Sequence, residues 1–547
     1  MNSPNPALVT QRAAQRLPRA ALLLFCAAYV LPGLFGRDPW RNADVTAFGF
    51  MASIAEGRSG WLSPAVAGLP AEPALLPYWL GAVFIQWFGP WLGAPVAARL
   101  PFALLLVLVL AFTWYSAYHL ARTEAARPLP FAFGGEADPV DYARAIADGA
   151  LLAVIATLGL LLLGHETTPE LAQLAGVSLF LYAMAASHHR RWRSRAALIL
   201  SLPALAASGA PNVAVALGAA GVLVALWSRP LGAGLLWAWI AGATAASAAV
   251  ATVLGAWSWR MEFATTSDQW LSIGKQVIWF TWPSWPLACW TLWRWRRQLK
   301  QPHIALPLGC VLVALATWLL LGGNDRALML ALPPLAVLAA FALPTLQRST
   351  AAAIDWFSVF FFSICALAIW VIYVAMHTGV PAKPAAIVAR LVPGFTPVFQ
   401  PSGLAFALLA TLAWIGLVHW RTGRNRHPLW KSLVLPASGV ALSWLLLMTL
   451  WLPLLDYARS YGPLMARLAF HLPTNACVAA VDVSRSQLAA MEHAASFDLD
   501  AATPLADTRC DWLVRVDPPR QARPPPPGWR GGAREPRLAP RAEGTVV

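Results

Sequence analysis

The chain has 547 residues, 58% of them hydrophobic and 12% charged, with 40 Lys and Arg against 25 Asp and Glu for a formal net charge of +15. Soluble domains carry about 25% charged residues, so this composition excludes an ordinary globular protein with a wetted surface. The mean hydropathy of +0.57 and recurring apolar stretches, each near the ~20 residues of a bilayer crossing, point to a polytopic membrane protein. The positive charge sits in short clusters between apolar runs and in a Pro-rich tail. That is the positive-inside pattern rather than the basic groove of a nucleic-acid binder, so no nucleic-acid partner is expected.

The apolar runs are continuous, not alternating, and a backbone in lipid must satisfy its own hydrogen bonds, so the spans read as helices. In chain order they cover roughly 19–36, 77–93, 98–120, 148–164, 171–187, 196–209, 212–227, 233–256, 277–293, 304–322, 327–343, 353–377, 403–419 and 431–455. The basic segments His188–Arg195, Arg294–Lys300, Gln347–Arg348 and His419–Lys431 are expected to face the cytoplasm. No cleavable signal is evident, and the run behind Arg12–Arg19 reads as an anchor helix with a cytoplasmic N-terminus. The charge walks from the two ends of the chain disagree by one crossing. The short run 77–93, broken by Gly89-Pro90 and rich in Trp and Tyr, is read as a helix lying along the outer face. Thirteen spans remain in a transmembrane domain over 1–456, with an outer loop at 37–97. The split of 196–227 at Gly209–Asn212 is the weakest division. The loop 257–275, carrying Arg260, Glu262, Asp268 and Lys275, reads as solvated.

Beyond Tyr457 the composition changes. CVAAVDV (477–483) and CDWLVRV (510–516) read as strands, with a helix over 484–494 between them. A small α/β unit over 457–516 is expected on the periplasmic side, followed by a Pro- and Arg-rich tail over 517–547 expected to be disordered. Parallel strands that both open on cysteine would bring Cys477 and Cys510 together. A disulfide between them suits an oxidising compartment; two unpaired thiols are the alternative. Cys26, Cys289, Cys310 and Cys365 lie in apolar runs and read as small core residues.

Charges are scarce, so those at membrane boundaries carry information. The first outer loop opens with Arg37-Asp38-Pro39-Trp40-Arg41-Asn42-Ala43-Asp44. Two carboxylates and two guanidinium groups at one lip suit chemistry, or a helix start with local ion pairs. His165-Glu166-Thr167-Thr168-Pro169-Glu170 suits a second polar site, or a helix start with Thr168 as cap, Pro169 at the first position and Glu170 in the first turn. Arg99, in AARLPFALL, suits a phosphate contact or an interfacial anchor.

The order of these features resembles the bacterial GT-C glycosyltransferase superfamily, in particular the aminoarabinose lipid A transferases and the related dolichyl-phosphate-mannose–protein mannosyltransferase-like proteins. Their outer-loop motif Asp-Glu-x-Arg-Tyr-Ala-Glu is matched by Asp38, Arg41 and Asp44, with Pro39 and Asn42 as departures. Ala71–Leu80 is similar to their Glu-Lys-Pro-Pro-Leu-x-Tyr-Trp-Leu stretch through Glu72 and Tyr78, with Pro73 in place of the lysine. Ala98–Leu104 is close to their Ala-Arg-Leu-Pro-Ser-Ala-Leu. His165–Glu170 matches His-x-x-Thr-Leu-Asp, with Glu170 for the aspartate. Asp325–Pro334 looks like their late Leu-Pro-x-x-Pro-Pro segment without its tyrosine, and the lysine expected near Ser208–Ala210 is absent. The likeness spans roughly residues 20–345.

The resemblance implies a multi-pass protein of the bacterial inner membrane, taking a sugar from a polyprenyl-phosphate donor, such as undecaprenyl, to a periplasmic-side acceptor: lipid A, another lipid, a glycan or a protein. It implies Asp38 as first candidate general base, Glu170 as second, and Asp44 as a further catalytic candidate. Arg41, Arg99, His165, Glu72 and Tyr78 become candidate substrate contacts. Mg²⁺ held by Asp38 and Glu170 is compatible with the donor set, though nothing requires a metal. A catalytically inactive relative of the family and a transporter or flippase are the competing readings. The transporter would need mid-span charges and an internal repeat; no repeat is evident and mid-span charges are nearly absent.

Overall fold

The computed structural model describes residues 6–40, 42–227, 235–257, 263–422, 428–473, 476–494, 497–517, 523–533 and 545–546. The molecule is mostly helical. Among the described residues, eight helices are long and apolar enough to cross a membrane: Ala94–Ala121, Pro169–Ala186, Leu236–Val253, Pro302–Leu320, Asp325–Thr345, Arg348–Thr378, Pro401–Arg421 and Lys431–Leu450. Arg19–Val30, Ala43–Ala55 and Pro211–Trp227 are shorter apolar helices. The chain divides into two compact units.

The first unit holds residues 1–32, 103–366 and 407–446. Its helices approach closely wherever a glycine removes a side chain. A methyl group on Gly176 would lie 2.7 Å from Leu205, and one on Gly149 would meet Leu343. Small residues at helix contacts are how helices associate where apolar burial alone gives no preference. The Pro169–Ala186 helix packs on Arg191–Ala207, which in turn packs on Pro211–Trp227 and Leu236–Val253.

Several apolar runs are interrupted here in ways that hydropathy does not resolve. The run 148–164 is not one helix: Pro139–Ile155 begins nine residues earlier, capped by Asp138, and Leu158–Leu163 follows a break at Ala156-Thr157. The run 277–293 is likewise two helices, Ser267–Phe280 and Ser284–Arg294, parted at Thr281–Pro283. The loop reading of 257–275 is corrected as well, because a helix begins at Ser267. Thr266 and Gln269 cap it reciprocally, a signature that is present in the sequence. Arg260 and Glu262 lie outside the described residues.

The second unit holds residues 33–102, 367–406 and 447–547. Ala43–Ala55 packs against Leu75–Leu92 and against Arg485–Ala494. A methyl group on Gly49 would stand 2.5 Å from the Ala489 Cβ, so the contact with Arg485–Ala494 is nearly backbone to backbone. Leu75–Leu92 exposes Trp87 and Trp91. A four-stranded sheet follows, in which Cys477–Val481 lies between Asp498–Asp500 and Trp512–Asp517, parallel to both, and Thr545–Val546 is antiparallel at the edge. Cys477 and Cys510 form a disulfide with Cα atoms 4.8 Å apart. Part of the tail is engaged with this sheet: the Arg515 guanidinium donates to the carbonyls of Arg523 and Pro524 at 2.8 and 3.2 Å.

Candidate active site

Two polar clusters collect most of the residues singled out in the sequence, one in each unit.

In the second unit the chain bends at Gly36, with φ of 75°, ahead of the Ala43–Ala55 helix. Asp44 sits in the first turn of that helix, where the exposed N–H groups favour an anion. Its Oδ2 accepts from the Trp40 amide at 2.9 Å and pairs with the Arg37 guanidinium at 3.2 Å. Both side chains are enclosed, and Arg37 also donates to the Gly33 carbonyl at 2.8 Å and lies over the Trp40 ring at 4.5 Å. Asp44 therefore braces the loop from inside. Arg41 lies outside the described residues. Asn42 has φ of 68°, a conformation that Asn tolerates better than a bulky aromatic; this suits the absence of the resembled family's tyrosine here.

The brace leaves Asp38 exposed. Its backbone amide donates to Asp456 Oδ1 at 2.9 Å, and Trp40 Nε1 donates to the same oxygen at 3.2 Å. Burial pushes the Asp456 carboxyl above the usual carboxylate range, and the Asp38 charge adds to this. The hydrogen bonds from the Asp38 amide and Trp40 and the charge of Arg99 oppose it. Arg459 covers the other side of Trp40, 5.2 Å from the ring centre. Arg99 is 3% exposed; its Nη1 reaches the Leu34 carbonyl at 3.4 Å, and its Nη2 has no hydrogen-bond partner among the described residues. The charges acting on Arg99 are those of Arg37, Asp44, Asp456 and Asp38. A buried guanidinium with donor capacity to spare beside an exposed carboxylate suits an anionic ligand with an oxygen to present. Tyr78 is buried against Phe50, ring centres 5.3 Å apart, and Glu72 is exposed at the start of the same segment.

In the first unit, Pro169 opens its helix as expected of a first-position proline, with Glu170 in the first turn. Thr168 occupies the cap position but makes no cap hydrogen bond. Its hydroxyl instead accepts from Arg326 Nη1 at 3.2 Å. Arg326 Nη2 binds Glu166 at 2.5 Å, and Nη1 stands 3.8 Å from Glu170. The helix-start reading of Thr168, Pro169 and Glu170 thus holds in position; what differs is the hydroxyl, which serves an arginine brought from Asp325–Met329. The two ring nitrogens of His165 each stand 2.8 Å from a backbone carbonyl, those of Leu161 and Tyr29, and the ring lies 4.4 Å from that of Trp444. Among the described residues no group of three or more His, Cys, Asp or Glu gathers to hold a metal ion, and Glu170 is engaged with Arg326.

No protein-family model matches the sequence, and no curated protein matches it. Solved structures do. ArnT from Cupriavidus metallidurans bound to undecaprenyl phosphate superposes with a TM-score of 0.58 at 17% identity, over 88% of this chain and 84% of that one. The fold is that of ArnT. Its apo state superposes with a TM-score of 0.55 at 17% identity, over 86% and 82% of the two chains. An archaeal oligosaccharyltransferase from Archaeoglobus fulgidus, in the apo form, aligns more distantly, with a TM-score of 0.44 at 12% identity over 88% of this chain and 64% of that one. The GT-C resemblance read from residues 20–345 thus holds at the level of fold, and the ArnT likeness extends beyond those residues.

Three members of these clusters were not singled out as site residues in the sequence: Asp456, Arg459 and Arg326. Asp456 lies at the end of an apolar run, and Arg326 inside a segment noticed only for its prolines.

Proposed function

We propose that this protein is an inner-membrane glycosyltransferase that moves a sugar from a polyprenyl-phosphate donor to a hydroxyl- or phosphate-bearing acceptor at the periplasmic face. The observation that carries the reading is Arg99, enclosed in an ArnT-like fold with Nη2 unpartnered among the described residues and with the exposed Asp38 among the charges that act on it. In this reading the chain crosses the membrane thirteen times with its N-terminus cytoplasmic. The Leu75–Leu92 helix lies along the outer surface, and the sheet over 477–517 is periplasmic, where its disulfide is at home.

The acceptor oxygen forms a bond to the sugar C1 as the bond from C1 to the lipid-phosphate oxygen breaks. The bonding pair leaves with the phosphate, and the acceptor's proton passes to Asp38 as general base. Arg99 takes up the charge developing on the departing phosphate, where a fixed donor in a water-poor site is most effective. Asp44 and Arg37 hold the loop that presents Asp38. Glu170, Glu166, Arg326 and His165 form a second polar cluster, within the first unit.

A catalytically silent relative is the second reading, favoured by Pro39 where the resembled family carries an acid. The deciding experiment incubates the purified full-length protein with polyprenyl-phosphate sugars and candidate acceptors. Transfer that falls about 10²–10⁴-fold in Asp38→Asn supports the base assignment, with Glu170→Gln run alongside. Transfer that persists in both variants rejects the site. Solute flux in liposomes with no transfer from any polyprenyl donor would replace the enzyme with a transporter.

A further inference from the structure

The first unit contains a second basic cluster, built around two histidines at adjoining ends of Ala94–Ala121 and Pro169–Ala186. The rings of His119 and His189 stack with centres 5.6 Å apart. His119 is 5% exposed, and the buried Nδ1 atom of each ring has no hydrogen-bond partner among the described residues. A buried polar atom left unpaired costs free energy, and native structures rarely leave one without a ligand, ion or water to satisfy it. The fixed charges acting on these rings are guanidinium groups: Arg122 and Arg190 beside His119, and Arg122 and Arg127 beside His189. No ion pair is formed by Arg122 or Arg190 among the described residues. Burial first, then these cationic neighbours, push the His189 imidazole down to about 4, so it stays neutral and keeps one N–H to donate. One wall is aromatic. Arg122 lies over the Tyr118 ring at 5.5 Å, and Tyr118 stacks on Trp114. Tyr115, beside Trp114, is 48% exposed.

We infer that the His119–His189 pair with Arg122 and Arg190 forms a binding site for a phosphate group, carried by an anionic phospholipid. Clustered cations, buried imidazole nitrogens with no protein partner among the described residues, and an exposed aromatic wall match what a phosphate at the edge of a bilayer presents. The site is separate from the residues proposed for glycosyl transfer and does not depend on that reading.

The test is native mass spectrometry of the detergent-purified full chain with phosphatidylglycerol, phosphatidylcholine and inorganic phosphate. Phosphatidylglycerol is expected to be retained over phosphatidylcholine, and Arg122→Gln/Arg190→Gln to weaken it about 30-fold, the effect of two interfacial charges. Arg296→Gln/Arg297→Gln, which removes the same charge from the exposed segment elsewhere in this unit, should leave the preference intact. Displacement of the lipid by millimolar inorganic phosphate would uphold the phosphate site and identify a soluble phosphate as the ligand. His189→Phe preserves the ring packing but removes the donor, and should weaken binding even if the double variant fails to fold. The inference is overturned by any of three results: equal retention of the two phospholipids with no phosphate binding, full preference in His189→Phe, or equal losses in the two double variants.

Discussion

Asp44→Ala is expected to destabilise the second unit severely, without touching an exposed residue. The Asp44 and Arg37 side chains are 0% and 1% exposed, and one carboxylate oxygen serves both the guanidinium and the Trp40 amide. As a whole, a buried pair contributes little, because both charges have lost their water. Removing one partner strands the other and costs about 3–5 kcal/mol. The Trp40 amide also loses its acceptor, but that loss shares the same oxygen, so it is not added separately. Against a typical folding free energy of about 5–15 kcal/mol, this is a large fraction. The assay is equilibrium unfolding of the purified protein in detergent, followed by fluorescence of its 29 tryptophans. Arg37→Met/Asp44→Leu provides the check: with both charges gone and the volume filled, most of the loss should be recovered. If Asp44→Ala loses less than about 1 kcal/mol, the range of exposed pairs, or if the double variant is no better than the single, enclosure is not what makes this pair matter.

Asp456→Asn keeps an acceptor for the Asp38 amide and Trp40 Nε1 while removing a carboxyl held above its ordinary range. A raised folded-state value means that the protonated form favours folding, and this contribution is lost as pH rises through that value. Melting temperatures across pH 4–8 should therefore show the variant gaining on the native protein as pH rises; parallel curves would contradict this. Gly49→Ala places a methyl 2.5 Å from Ala489 Cβ across a helix contact that no rotamer change relieves. It should cost about 1–3 kcal/mol, which unfolding measurements would read directly. Cys477→Ser/Cys510→Ser opens a link across 33 residues and should cost about 3–4 kcal/mol on the chain-entropy account. Limited proteolysis should then cut within 477–517 before the rest of the chain; an unchanged cleavage order would argue against the disulfide as a constraint.

Composition and hydropathy alone determined that this is a helical membrane protein, because a 30 Å apolar slab demands long apolar segments wherever they fall in the chain. Local signals also marked the polar starts at Asp38–Asp44 and His165–Glu170, since a proline, a cap residue and an acid act within one turn. Local signals were missed too: the Thr266–Gln269 capping box lay in plain view inside a segment read as loop. Helix breaks at Ala156-Thr157 and Thr281–Pro283 were hidden inside uniformly apolar runs, where hydropathy is blind to backbone geometry.

What only the tertiary structure decided is which groups meet. Asp456 reaches Asp38 across 418 residues, and Arg326 reaches Glu166 across 160. No periodicity records such a pairing, because hydrogen bonds and ion pairs act over a few ångströms in space, not along the sequence. The same holds for Asp44 and Arg99. In the sequence they are two more charges near a membrane boundary. Enclosure in the fold makes one the internal brace of a loop and gives the other donor capacity for a ligand.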